Sequence, residues 1–322
     1  MSERDLLKLS DVTVEYALEH GVRKASDGVS LRIPSRGFTL GIVGESGSGK
    51  TTLGLLMMNL IEPPGRITRG KIEYQGRDIL GMNRDQLRRY RWQEVAMVYQ
   101  SAMNSLNPVK SVSSHIVEVL REHSDISKTE AREKAIKLLS SVGIKEERAD
   151  AYSHELSGGM RQRAVIAMAL ALSPKLLIAD EPTSALDVVV QKQILALLRK
   201  EVIEKDLSLV FITHEIALLG DLVDNVAVLF AGEIVESGEI DDILFDPMHP
   251  YTESLLGSLL SLESTREMIQ TVPALTKEAR VVPEVGCKFA NRCRYAFARC
   301  RVERPLLKES SNGRLVACHK YS

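Results

Sequence analysis

The sequence predicts an α/β protein with a mostly parallel sheet, and three features of the chain lead to this prediction. Short apolar segments typical of strands alternate with segments of helical periodicity. A glycine-rich run at residues 44–51 lies between a strand at 39–43 and a helix at 50–60. A compact apolar strand at 176–179 ends in an acidic pair, which indicates the carboxyl edge of a sheet that is covered on both faces.

The remaining elements follow in order along the chain. Further strands are predicted before the middle of the chain at 6–14, 28–33, 71–74 and 95–99. A helical region follows at about 103–172, where Ser127 and Glu130 fit a capping box ahead of apolar residues at helical spacing. The alternation then resumes with a helix at 191–205 and strands at 208–213 and 226–230. The character of the sequence changes after about Glu239, and this change predicts a domain boundary there.

The composition is that of a globular protein with little electrostatic bias. Hydrophobic residues make up 44% of the 322 residues, charged residues make up 26%, and the formal net charge is −1. A nucleic-acid-binding protein usually has a basic face or a high pI, so this balance disfavours that class. The longest apolar stretch, at 164–172, has about half of the ~20 residues that a membrane-spanning helix needs, and the N-terminus shows no signal-peptide pattern. We therefore expect any work at a membrane to require a partner.

The glycine-rich run fits the phosphate-binding pattern G-x-x-x-x-G-K-[ST]. Its glycines let consecutive backbone N–H groups point inward, and the following helix N-terminus adds partial positive charge. Lys50 supplies a mobile charge for the β- and γ-phosphates, and Thr51 offers a hydroxyl to Mg²⁺. The strand before the run and the helix after it disfavour a plain turn that binds nothing. The predicted ATP contacts are Gly44, Glu45, Ser46, Gly47, Ser48, Gly49, Lys50, Thr51 and Thr52.

The acidic pair Asp180-Glu181 fits the second half of such a site. Asp180 is predicted to hold Mg²⁺ through water, and Glu181 is predicted to polarise the attacking water as a general base. By itself, an apolar strand that ends in two acids is often only a strand meeting solvent. Together with the phosphate-binding run, the pair predicts a hydrolytic nucleotide site.

A third segment supplies the family resemblance. Ser157, Gly158 and Gly159 open a helix, so a hydroxyl and free N–H groups face outward as a second anion-binding surface. With its flanking residues, Leu156-Ser-Gly-Gly-Met-Arg-Gln162, this segment matches the ABC signature, and the chain resembles an ABC-type ATPase. The resemblance implies that this surface grips the γ-phosphate held by the opposite subunit.

The resemblance gives roles to four further residues. Gln100 matches the Q-loop glutamine, which touches Mg²⁺ and senses the permease, and Asp187 matches the D-loop. His214 matches the switch histidine that contacts the γ-phosphate, and Tyr16 falls where the family stacks an aromatic ring on adenine. Taken singly, the histidine reads as structural and the tyrosine as a surface or core residue. Six motifs in the family's order, from the phosphate loop to His214, favour the functional interpretation, and Tyr16 lies outside those six.

The resemblance also implies a fold and a reaction. Residues 1–240 are expected to form a P-loop ABC ATPase domain with a RecA-like core, an antiparallel β subdomain and an inserted helical subdomain at about 103–172. Residues 241–322 are expected to form a small cysteine-containing C-terminal domain. ATP hydrolysis with Mg²⁺ would need two chains, because each phosphate loop lacks a signature surface of its own.

Three segments narrow the resemblance to the ATPases of dipeptide/oligopeptide-type importers: residues 100–108, 249–252 and 286–318. This implies a peripheral subunit on the cytoplasmic side of the cell membrane. Its implied partners are two transmembrane permeases, a second homologous ATPase in a heterodimer and an extracytoplasmic substrate-binding protein, with no nucleic acid. Peptides are the expected cargo, and nickel and oligosaccharides stay open. Ser101-Ala102 replaces the family's usual Asp-Pro, which we expect to affect the coupling surface.

All four cysteines lie after Gly286 in a C-x5-C-x6-C-x17-C spacing that matches neither a zinc ribbon nor a ferredoxin. Their confinement to one short tail favours Cys₄ ligation over disulfides. Some members of the resembled subfamily carry an iron–sulfur cluster on these cysteines, so we favour a [4Fe–4S] cluster with a structural or regulatory role. Zinc is the second choice and free thiols the third. The predicted ligands are Cys287, Cys293, Cys300 and Cys318.

Two other classes of function compete with a transport ATPase. A soluble ABC ATPase that acts on DNA or the ribosome usually shows a long coiled-coil insertion or two nucleotide domains, and neither is visible in the sequence. The near-neutral charge also disfavours it. An iron–sulfur redox enzyme would need a second cofactor or substrate constellation beside the cysteines, and the sequence shows none.

Overall fold

The structure, a computed structural model, describes residues 5–19, 21–100, 105–184, 186–263, 281–310 and 313–321. Two sheets organise these residues, one of four strands and one of eight. The parallel strands of the larger sheet and the helices between them confirm the predicted α/β fold class. The sequence-based expectation for Ser101-Ala102 and the start of the helical region at Met103 lie outside the described residues.

The smaller sheet is antiparallel and has the strand order β2-β1-β4-β5. Its strands are β1 (Leu7–Leu18), β2 (Gly21–Ile33), β4 (Gly65–Tyr74) and β5 (Arg77–Asp78). Leu7 and Leu9 of β1 belong to a buried cluster that also contains Leu53 and Leu56 of the first helix. This cluster fixes the small sheet against the element that follows the phosphate-binding run.

The larger sheet has the order β11-β12-β10-β9-β3-β8-β7-β6, and its five strands from β9 to β6 run parallel. Its strands are β3 (Thr39–Val43), β6 (Val95–Val98), β7 (Leu176–Asp180), β8 (Ser208–Thr213), β9 (Asn225–Phe230), β10 (Glu233–Glu239), β11 (Lys308–Glu309) and β12 (Leu315–Val316). Every residue of β7 and β8 is buried. Alternate residues of β7 enter two different core clusters, because successive side chains in a strand point to opposite faces.

The helices are α1 (Lys50–Met57), α2 (Arg84–Arg89), α3 (Val112–His123), α4 (Lys128–Ser141), α5 (Gly158–Ala169), α6 (Val188–Lys205), α7 (Ile240–Phe245), α8 (Pro250–Glu263) and α9 (Ala298–Val302). Helices α3, α4 and α5 share one buried cluster in the predicted helical region. The predicted capping box begins α4: the Ser127 hydroxyl accepts from the Glu130 N–H at 3.2 Å, and the Glu130 carboxylate accepts from the Ser127 N–H at 2.9 Å. None of the helices in the described ranges is long and apolar enough to cross a membrane.

Several elements differ from the sequence prediction. Strand β2 begins at Gly21 rather than residue 28, and β4 begins at Gly65 rather than residue 71. Their added residues are mostly exposed and polar, so they lack the apolar alternation that indicates a strand. Strands β11 and β12 are two residues long each, too short to leave a pattern, yet β12 pairs with β10 through Val316 and Glu236. The C-terminal part of the chain thereby extends the main sheet.

Candidate functional site

The glycine-rich run connects β3 to α1, as the sequence predicts. At Gly44 a side-chain Cβ would lie 2.1 Å from the Leu229 carbonyl oxygen, and at Gly49 it would lie 2.0 Å from the Ala25 carbonyl oxygen. Gly49 also has a φ of +106°, a conformation that favours glycine. Glycine is therefore required at both ends of the loop because the backbones of β9 and β2 pass directly against it.

Lys50 is the first residue of α1, and its side chain contacts the backbone at the start of the loop. Its ammonium group donates to the carbonyl oxygens of Gly44 at 2.8 Å and Glu45 at 3.0 Å. Burial lowers the pKa of Lys50, and the carboxylates of Glu181, Asp180 and Glu45 oppose that shift. The ammonium group thus lies inside the loop, where it can approach a bound phosphate.

Asp180 ends β7 with a buried carboxylate. Among the described residues, neither of its side-chain oxygens has a hydrogen-bond partner. Burial, reinforced by the neighbouring Glu181 charge and opposed by the nearby Thr51 hydroxyl and by Lys50, raises the pKa of Asp180 to about 6. A buried carboxylate whose oxygens are both unpaired fits a magnesium ligand, because Mg²⁺ prefers oxygen donors. The donor set therefore fits the cation that an ATP site requires.

Glu181 contacts two other predicted site residues. Its carboxylate accepts from the Gln100 amide at 3.1 Å, and its other oxygen lies 3.1 Å from Nδ1 of His214. These side chains follow β6, β7 and β8, three neighbouring parallel strands whose carboxyl ends meet at one edge of the sheet. Glu181 has a φ of +44°, and its N–H donates to the carbonyl of Ile212 at 2.9 Å. The backbone bond to β8 fixes the turn that holds this carboxylate between its two partners.

The signature residues form the N-terminus of α5. Ser157 is the N-cap, is exposed, and accepts from the Met160 N–H at 3.3 Å. A Cβ at Gly159 would lie 2.5 Å from Cγ1 of Val190 on α6, so the glycine allows these helices to approach closely. Within the described residues, no hydrogen bond joins Ser157, Gly158 or Gly159 to the phosphate loop at 44–52. The structure does not bring the two predicted anion-binding surfaces of one chain together.

Asp187 and Tyr16 have local roles in the structure. The Asp187 carboxylate caps α6 by accepting from the N–H groups of Val189 at 3.1 Å and Val190 at 3.0 Å. Tyr16 lies in β1 opposite Arg23, and its ring closes on Gly65, where a Cβ would be 2.7 Å from the ring. Their predicted contacts with ATP stay predictions. Ala185 of the D-loop segment lies outside the described residues.

Three residues at the phosphate loop were missed by sequence reasoning. The Arg23 guanidinium donates to the Gly47 carbonyl at 2.9 Å, and the Tyr251 hydroxyl accepts from the Glu45 N–H at 2.8 Å. The Arg292 guanidinium binds the Glu45 carboxylate through two bonds of 2.8 and 2.5 Å. The tyrosine and the second arginine lie in segments that carried the family resemblance, but nothing in those segments indicates their partner.

The four cysteines line one small pocket, together with His249, Phe289 and His319. Burial raises the pKa of the Cys287 thiol to about 11, and it also raises the pKa values of Cys293 and Cys318. Within the described part of the chain, however, no group of three or more His, Cys, Asp or Glu side chains is arranged to hold a metal ion. The thiols therefore share a pocket, but they are not arranged as a ready metal-binding group.

Comparison with known families gives two matches along the chain. Residues 26–184 match the family described as ABC transporter. Residues 235–300 match the family described as the oligopeptide/dipeptide transporter C-terminal region. Together these matches cover the phosphate loop, Gln100, the signature segment and the acidic pair, along with three of the four cysteines, whereas His214 and Cys318 lie outside both matched ranges.

Individual relatives extend over nearly all of the chain. It is 45% identical to the oligopeptide transport ATP-binding protein OppD of Bacillus subtilis, over 91% of this chain and 82% of that protein. It is 41% identical to the dipeptide transport ATP-binding protein DppD of Escherichia coli, over 98% of this chain and 96% of that protein.

Among solved structures, the fold is similar to the dimeric ATP-binding cassette MJ0796 bound to ADP and Pi, with a TM-score of 0.65 and 28% identity over 73% of this chain and 98% of the other. It is also similar to cbiO1 from Clostridium perfringens, part of the transporter complex cbiONQ, with a TM-score of 0.65 and 26% identity over 81% and 96% of the two chains.

Proposed function

The chain belongs to the ABC transporter family of ATPases, and from this premise we propose that it hydrolyses Mg-ATP to energise the uptake of peptides. The observation that carries the proposal is the position of Glu181. Its carboxylate lies between Gln100 and His214, next in the chain to the buried and unpaired Asp180. The names of the relatives, oligopeptide and dipeptide transport ATP-binding proteins, support the cargo.

The proposed mechanism gives each group at this edge of the sheet one role. The phosphate loop and Lys50 would bind the phosphates, and Thr51, Gln100 and Asp180 would provide oxygen ligands for Mg²⁺. Glu181 would accept a proton from the attacking water, and its contact with His214 holds the carboxylate in place. His214 would contact the γ-phosphate.

A second chain completes the site in this proposal. The exposed N-terminus of α5, with Ser157 as its cap, offers a hydroxyl and helix N–H groups to the γ-phosphate bound by another chain. The dimeric arrangement named for MJ0796 supports a paired cassette. ATP binding then favours the closed pair, and hydrolysis releases it.

The partners follow from the family and from the relatives' names. We propose that the chain works on the cytoplasmic side of a membrane, bound to two permease subunits and paired with a second, homologous ATPase. An extracytoplasmic substrate-binding protein would deliver the peptide. The match to the oligopeptide/dipeptide transporter C-terminal region supports this assembly over a soluble ABC ATPase that acts on DNA or ribosomes.

The C-terminal cysteines are proposed to hold a [4Fe–4S] cluster, with zinc as the second choice. A set of four thiols that line one pocket fits either group chemically, and the bound group would staple a small, loop-rich segment. Iron, sulfide and zinc analysis of anaerobically purified protein tests this. The cluster proposal requires iron and sulfide that are lost in Cys300→Ser, whereas a preparation without any metal identifies free thiols.

The function itself is tested by identifying the proteins that bind the chain. A tagged Glu181→Gln variant is trapped with Mg-ATP and isolated from detergent-solubilised membranes, and mass spectrometry identifies its companions. Co-purification of permeases and a homologous ATPase supports the importer assignment. Isolation of the chain alone, or with ribosomes or DNA, contradicts it and leaves only the nucleotide site.

A further inference from the structure

The phosphate loop is held from outside by the C-terminal part of the chain. Arg292, which directly precedes Cys293, binds both carboxylate oxygens of Glu45, the second residue of the loop. Tyr251 of α8 accepts from the N–H of the same glutamate at 2.8 Å. Side chain and backbone of Glu45 are thus both bound by residues that lie more than 200 positions later in the sequence.

The Arg292 side chain is held in position by two aromatic rings as well as by the loop. Its guanidinium lies 5.5 Å from the centroid of the Phe230 ring and 5.4 Å from that of Phe289. Its side chain is only 17% exposed, whereas that of Glu45 is 43% exposed. A guanidinium held by two rings loses little further freedom when it forms two parallel bonds to a carboxylate.

The charge of Glu45 matters because of where it lies. The loop must accept a polyanion, and a carboxylate within it repels phosphate unless a cation neutralises it. The Glu45 charge acts on the Lys50 ammonium, and the Glu45 carbonyl also accepts from that ammonium at 3.0 Å. An unpaired Glu45 would therefore compete with phosphate for the lysine and shift the carbonyl that anchors it.

A second contact links the cysteine segment to the same loop. Lys288, which directly follows Cys287, donates to the carbonyl of Ala231 at 2.9 Å. The next residue, Gly232, donates its N–H to the carbonyl of Ser48 in the loop at 2.8 Å. Residues adjacent to two of the four cysteines thus contact the loop directly or through one turn.

We propose that Arg292 is a positioning residue for nucleotide binding, which neutralises Glu45 and holds the start of the phosphate loop in the shape that receives Mg-ATP. The proposal rests on the proposed ATPase function and adds a role for the C-terminal segment in it. Arg292 acts through Glu45, so its loss changes nucleotide affinity and leaves the hydrolytic group at Glu181 intact.

The test compares arginine variants of the full-length chain. Calorimetry measures Kd for Mg-ADP, and phosphate release gives KM and kcat for Mg-ATP. Because the ion pair is partly exposed, we expect Arg292→Ala to raise Kd and KM about fivefold with kcat nearly unchanged, and Arg292→Lys to restore part of the affinity. The matched control is Arg294→Ala, which removes an exposed ion pair with Glu253 in the same segment and should leave Kd unchanged.

A second-site variant separates this role from a general loss of folding. If Arg292 acts through Glu45, adding Arg292→Ala to Glu45→Gln should change Kd by less than about twofold, because no unpaired carboxylate remains. Two outcomes would overturn the inference about Arg292 and leave the proposed function standing. In one, Arg292→Ala lowers the affinity equally in the wild-type and Glu45→Gln chains; in the other, the folded Arg292→Ala chain binds Mg-ADP like wild type. A wild-type chain that binds no Mg-ADP overturns the proposed function and the inference with it.

Discussion

At the scale of single residues, Glu181 connects the ends of three neighbouring strands, because its carboxylate contacts side chains that follow β6 and β8. Its positive φ turns the chain sharply after the buried Asp180, and one carboxylate then contacts both Gln100 and His214. The aspartate is buried without a partner among the described residues, whereas the glutamate is partnered and only 14% exposed. Two adjacent acids thereby acquire different chemistry, because one fits a metal ligand and the other fits a base.

Glu181→Gln is expected to reduce ATP turnover by about 10²- to 10³-fold with little change in KM, because the amide cannot accept the proton of water. Phosphate release measures turnover, and gel filtration with Mg-ATP measures the closed pair, which should accumulate. The control is Glu204→Gln, at an exposed position of α6. Turnover within about threefold of wild type in Glu181→Gln would remove the glutamate from the mechanism.

At the scale of elements, α5 and α6 are joined closely through Gly159. A Cβ at this position would lie 2.5 Å from Cγ1 of Val190, well inside contact distance. Asp187, the N-cap of α6, lies three residues before that valine and accepts from two backbone N–H groups. The signature segment therefore packs against the first turn of the helix that the D-loop residue Asp187 caps.

Gly159→Ala is expected to lower the free energy of unfolding by about 1 kcal/mol. Overpacking against Val190 costs about 1–3 kcal/mol, and the gain from replacing a helical glycine offsets up to about 1 kcal/mol of it. Urea denaturation measures the change. Val190→Ala in the same chain should recover most of the loss, because it removes the methyl group that the new Cβ meets. Wild-type stability in Gly159→Ala would mean that the helices separate without loss of packing.

At the scale of the whole molecule, a cluster of charges joins the antiparallel sheet to the C-terminal part. Asp27 of β2 binds Lys288 at 3.0 Å and Arg304 at 3.1 Å, and Glu233 of β10 binds the same two cations at 2.8 Å. Burial alone would raise the pKa of Asp27, but bonds and charges from Lys288, Lys24 and Arg304 outweigh it and lower the pKa to about 2. The folded chain therefore holds this carboxylate in its charged form.

Asp27→Asn is expected to lower the free energy of unfolding by about 1–2 kcal/mol at neutral pH. The folded pKa of about 2 lies below the ordinary value of 3.8, so the unfolded chain binds the proton more tightly. The contribution is complete above about pH 4 and disappears as the pH falls towards 2. Denaturation of both chains across this range measures the difference, with Asp206→Asn, at an exposed site, as control. A pH-independent difference would contradict the assignment.

The features that depend on residues close together in the chain are predictable from the amino-acid sequence. The phosphate loop, the acidic pair after β7 and the capped start of α5 are each a local pattern, so spacing and residue type predict them. The meeting of Gln100, Glu181 and His214 also follows in outline, because parallel strands end at one edge of a sheet.

The contacts between distant segments became visible only in the folded chain. Arg292 and Glu45 are 247 positions apart, and no periodicity or spacing connects an arginine beside a cysteine with a glutamate in a phosphate loop. The pairing of β12 with β10 and the shared pocket of the four cysteines are of the same kind. Such contacts form when surfaces and charges from remote segments pack together during folding. A local sequence pattern does not indicate which remote residue a side chain will contact.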